Sequence, residues 1–84
     1  MLRNSEVKLV KIIVDLAIFL EFTSSDLLDP DCAVEAMEDI SAELQSLSSE
    51  DRVNIAEIFK DLSQKYTGDK AAYVRSLPES LGII

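Results

Sequence analysis

The side chains able to do chemistry in this chain are almost all carboxylates. Sixteen Asp and Glu stand against eight Lys and Arg, with no His and a single cysteine, Cys32. The lack of His removes Ser-His-Asp and Cys-His nucleophile systems and most zinc sites. One cysteine cannot supply a thiolate zinc site or an iron–sulfur cluster. Gly68 and Gly82, the two glycines, cannot form a phosphate-cradling loop or a dinucleotide fingerprint. Asp26, Asp29 and Asp31 lack the loop glycine and the terminal bidentate Glu that calcium needs. Glu35, Glu38 and Asp39 lack the Glu-x-x-His partners of a di-iron bundle. A carboxylate pair can hydrolyse glycosides, but a bundle of this length should offer no deep cleft. The expectation is a chain without catalysis, metal or cofactor.

What the carboxylates can do is attract a positive surface. The net charge is −8 and no Lys or Arg occurs between Ile12 and Asp51. That stretch holds Asp15, Glu21, Asp26, Asp29, Asp31, Glu35, Glu38, Asp39, Glu43, Glu50 and Asp51. The excess gathers on one segment and its flanking turns, with Asp31, Glu35, Glu38, Asp39 and Glu43 as the candidate contact residues. A one-sign surface speeds encounter with a basic partner and weakens in salt. It repels phosphate backbones and anionic head groups, so neither direct nucleic-acid binding nor membrane binding is expected. Solubility alone is the competing explanation, in which Glu35 and Asp39 are solvated neighbours on a helix.

The elements that must carry these groups read as helices. Two Pro and two Gly in 84 residues are too few turn residues for a sandwich or barrel. The expected architecture is all-α, a small antiparallel bundle of three to four helices in a single domain over residues 1–84. The first helix spans about Ser5 to Phe22, capped by Asn4 or Ser5. Its polar stripe is Asn4, Lys8, Lys11 and Asp15, and that stripe continues as Ile18, Phe19 and Phe22. A helix apolar nearly all round must be covered on several sides, so Ile18, Phe19 and Phe22 are a candidate homodimer interface.

Asp29-Pro30-Asp31 is the strongest boundary: an N-cap, a first-turn proline and an acid at the positive helix end. The second helix runs from there to about Leu47, with Ala33, Met37, Ile40, Leu44 and Leu47 inward and Val34 beside them. Ser48 with Asp51 resembles a capping box opening the third helix. Ile55, Phe59, Leu62 and Tyr66 form its inner face, and Gly68 is expected to close it in the left-handed conformation. A short helix follows from Asp69 to about Leu77, where Pro78 disfavours continuation. The tail Ser80–Ile84 either docks on the core or joins an interface. Tyr66 and Tyr73 read as core-edge residues with wet hydroxyls or, alternatively, as exposed anchors.

Cys32 reads as a small buried hydrophobe in a reducing cytoplasm. Ile12–Leu20 is interrupted by Asp15 and is too short for a membrane span. Arg3, Lys8 and Lys11 precede no small-residue cleavage site, so no secretory leader is expected.

Length, acidity, four helices and the segment Glu21-Phe22-Thr23-Ser24-Ser25-Asp26-Leu27-Leu28-Asp29-Pro30-Asp31 leading into an acidic helix together resemble small bacterial immunity proteins. The resemblance implies stoichiometric neutralisation of a toxin that has a basic surface. Colicin-nuclease immunity proteins carry an Asp-x-x-Tyr-Tyr-Pro-type motif. This chain has no adjacent tyrosines, so no binding residue is carried over. The alternatives are a homodimerising helical adaptor or regulatory protein, and a nucleic-acid mimic.

Overall fold

Several helix boundaries have a local chemical cause, visible in a computed structural model that describes residues Asn4–Ile84. Met1–Arg3 lie outside the described residues, Arg3 of the cationic start among them. The described residues form four helices and no strand: α1 (Asn4–Phe22), α2 (Pro30–Gln45), α3 (Ser49–Ser63) and α4 (Gly68–Ser80). The all-α fold is as the sequence implies.

At the start of α2, the Asp31 N–H donates to Asp29 Oδ1 at 2.9 Å, with Pro30 in the first turn. At the start of α3, the Asp51 N–H donates to Ser48 Oγ at 3.1 Å. Both caps satisfy amides that a helix start leaves unpaired. α2 stops two residues before Leu47. Ser46 donates from its hydroxyl to the Glu43 carbonyl at 2.6 Å, and its N–H also turns to Glu43, so the last turn tightens and ends.

Two further expected boundaries move. Gly68 does not close α3, which ends at Ser63 with Gln64 as its cap. Gly68 instead opens α4 at φ +60°, still using the left-handed freedom that glycine provides. α4 also runs through Pro78 to Ser80. Proline in a helix removes one N–H bond and crowds the preceding turn. Here only the final turn is affected, and burial of Leu77, Pro78, Leu81 and Ile83 offsets the loss.

The chain past α4 docks on the core. The Ile83 N–H donates to the Pro78 carbonyl at 3.0 Å, and the Gly82 N–H donates to Glu79 at 3.1 Å. With Gly82 at φ +73°, this is a Schellman cap. From α2, the Ser41 hydroxyl donates to the Leu81 carbonyl at 2.8 Å, and Gln45 Nε2 donates to it at 3.0 Å. A Cβ on Gly82 would sit 2.6 Å from Gln45 Nε2. Gly82→Ala should therefore combine left-handed strain of about 1–2 kcal/mol with loss of the Gln45 bond. The expected fall in Tm is roughly 4–16 °C by thermal unfolding. Gly68→Ala, which meets nothing within 4 Å, should carry only the strain.

The core joins Val10, Val14 and Ala17 of α1 to Ile58, Phe59 and Leu62 of α3 and to Val74 and Leu77 of α4. α1 packs against all three other helices, and α3 packs most extensively against α4. α2 is the least embedded, with Leu44 its one buried residue. Its expected inner positions Ala33, Met37, Ile40 and Leu47 are only half-buried, and Val34 is exposed.

Candidate functional site

α2 faces solvent with its carboxylates. Asp31, Glu35, Glu38, Asp39 and Glu43 are all exposed, as are the six other acids between Ile12 and Arg52. Of those eleven, only Asp15 has a cation partner: Lys11 lies 2.7 Å away, the one ion pair among the described residues. The lysines and arginines among the described residues therefore make no ion pair with the α2 acids. The helix period explains its width, because positions 31, 35, 38, 39 and 43 fall on one arc of about 140°.

Beside this face runs a groove that no local pattern announces. A cavity of about 510 Å³ opens between the end of α1, one flank of α2, and α4. Leu20, Val34, Met37, Tyr73, Leu77 and Leu81 supply its apolar walls, and Glu21 and Glu38 are the two carboxylates among its lining residues. Ser41 and Gln45 also line it, but both are engaged by the Leu81 carbonyl. Glu38 belongs to both surfaces, so acidic face and groove are continuous. The volume falls within the range of small-ligand and side-chain pockets. Apolar walls with anionic groups at the edge suit a side chain or helix that is greasy in the middle and cationic at its margin.

The tyrosines fix α1 over the end of the bundle. Tyr66 donates its hydroxyl to Asp15 Oδ1 at 2.7 Å, and Tyr73 donates to the Ala17 carbonyl at 3.4 Å. Both rings are half-buried against the core, so each phenol is a core-edge group whose hydroxyl is tied to α1. Phe22 meets Tyr73 edge-on with ring centres 5.6 Å apart. The Lys11 ammonium, and after it the Tyr66 hydroxyl, hold the Asp15 carboxyl below its ordinary range. The hydrogen bond to Asp15 raises Lys11 in return. Burial, then the neighbouring Asp15, pushes the Tyr66 phenol up. Burial, then the charge of Glu21, does the same to Tyr73.

These directions set a pH dependence. A phenol with a raised folded pKa stabilises fully below its unfolded value near 10, and the contribution is lost as pH rises through the folded value. Alkaline unfolding should accordingly begin above about pH 10, and Tyr66→Phe should blunt it. Asp15 behaves oppositely: its contribution is present above about pH 4 and lost as pH falls through its folded value. Denaturant midpoints measured across pH check both limbs.

The other expected interface residues separate. Ile18 packs partly against the core, Phe22 leans on Tyr73, and Phe19 stays in solvent. Cys32 is exposed, contrary to its reading as a buried hydrophobe. It sits in the first turn of α2, the helix that buries least. Among the described residues no helix is long and apolar enough to cross a membrane. Comparison with known protein families, curated proteins and solved structures finds no match.

Proposed function

We propose that this chain is a non-catalytic protein-binding module, an acidic immunity-type inhibitor that neutralises a toxin or effector with a basic surface by stoichiometric binding. One observation carries the reading: the five α2 carboxylates are exposed and, among the described residues, none has a cation in ion-pair contact. Such a face steers a cationic partner into contact. The adjoining groove then supplies the desolvated anchor where binding energy concentrates. Asp31, Glu35, Asp39 and Glu43 act through charge, while Glu38 orients the partner at the groove. Occupation of the partner's basic site by this face blocks its activity without any bond being made or broken. The exposed thiol of Cys32 fits a reducing cytoplasm as the place of action.

The test is co-expression with a cytotoxic protein encoded beside this chain. Rescue of growth, with a one-to-one complex that weakens as salt rises, is the supporting result. Absence of any complex at low ionic strength between the purified proteins rejects the proposal.

A further inference from the structure

α1 is buried on one side and presents a second apolar side to water. Val10, Val14 and Ala17 are 2%, 0% and 0% exposed, whereas Leu9, Ile12, Leu16 and Phe19 are 61%, 61%, 48% and 54% exposed. The exposed four are spaced three, four and three residues apart, the seam spacing of two helices packed side by side. The bundle has spent its other helices on the opposite face, so none of the described helices covers this seam.

Charge indicates what covers it. A basic partner is drawn to α2, whereas this seam is flanked by Lys8, Lys11 and Asp15, which sum to +1 (two cations less one anion). Two chains of −8 each repel through their acidic helices but not through this edge. We propose that a second copy of the chain covers the seam, the two α1 helices packing antiparallel about a two-fold axis.

The orientation follows from the pattern. Spacing of three, four, three reads the same in both directions, so an antiparallel pair sets Leu9 against Phe19 and Ile12 against Leu16. One flank of the seam is polar, with Lys8, Lys11 and Asp15. The other is apolar, with half-buried Ile13 and Leu20. Antiparallel helices bring each flank against its own kind, whereas parallel helices lay the charged flank of one on the apolar flank of the other. Near the axis, Lys11 of each copy approaches Asp15 of its partner subunit, joining two internal ion pairs into a ring of zero net charge. Opposed helix dipoles add to the same preference. The seam contains none of the five α2 acids, so this contact leaves the acidic face open and stands independently of the proposed inhibitor role.

Sedimentation of the full chain from low to high micromolar concentration tests the proposal. The expected result is a mass that doubles with concentration and a dimer that tightens as salt screens the repulsion of two acidic chains. Leu16→Asp and, separately, Ile12→Lys should each weaken association at least about tenfold with unchanged helical circular dichroism. Val34→Asp, at an exposed apolar position on α2, should leave it intact. A spin label at Lys8→Cys in a Cys32→Ser background reads the orientation. Antiparallel pairing sets position 8 opposite position 20, so labels lie roughly 18 Å apart along the axis at 1.5 Å per residue. A monomer at high micromolar concentration, a dimer indifferent to both seam variants, or labels side by side would each overturn the proposal.

Discussion

Replacing Phe59 by Ala is expected to unfold a large share of the population at room temperature. Phe59 is fully buried in α3 at the junction of α1, α3 and α4. Removing the ring loses its transfer free energy and leaves a cavity, together about 3–5 kcal/mol. An 84-residue chain has a total stability of roughly 4–13 kcal/mol, so this one change consumes much or all of it. Urea titration followed by circular dichroism should show the midpoint collapse. Ile40→Ala provides the contrast, because Ile40 is only half-buried on α2 and should cost less, about 1–2 kcal/mol. Equal losses at the two positions would show that α2 is as deeply embedded as α3, contrary to the packing described above.

The second large effect is on association. Glu35→Lys combined with Asp39→Lys changes the net charge from −8 to −4, since each replacement adds two units. Both residues are exposed, so the helix should be unperturbed and stability nearly so. The on-rate for a basic partner should fall by about tenfold or more at low salt. That difference should shrink once the Debye length drops well below about 10 Å, above roughly 0.1 M salt. Stopped-flow kinetics at two ionic strengths measures this. An on-rate equal to that of the parent chain at low salt would remove the acidic face from the mechanism.

Features that depend on a few adjacent residues are legible in the sequence itself. Asp29-Pro30 and Ser48 start helices because their side chains can reach an amide two or three residues away, and both bonds form. The acidic face was readable for a similar reason: helical period alone places its five residues on one arc. Gly68 shows the boundary of such reasoning. Its need for positive φ was foreseeable, but whether it ends one helix or begins the next depends on where Gln64–Tyr66 turn. Pro78 is comparable, because its penalty is local while the burial that offsets it comes from other helices.

α1 carries apolar residues over so much of its circumference that periodicity cannot choose its inner face. Packing chose the Val10, Val14 and Ala17 side, where small side chains admit close neighbours. Leu9, Ile12 and Leu16 consequently cannot be told from core residues by pattern alone, and Phe19 is the interface candidate that also lies on the exposed seam. The groove has no sequence signature at all, since Leu20, Val34, Met37, Tyr73 and Leu77 meet only after the chain has folded.

The two side chains that reach from α2 to the Leu81 carbonyl have a kinetic meaning. With a single buried residue and Met37, Ile40 and Leu47 only partly buried against the core, α2 is held by less apolar contact than α3, and this polar latch adds to it. Its amides should exchange with solvent through a subglobal opening well before those of α3. Undocking would swing one wall away from the cavity while the α1–α3–α4 body stays intact, so the mouth could widen to admit a bulky side chain and re-latch behind it.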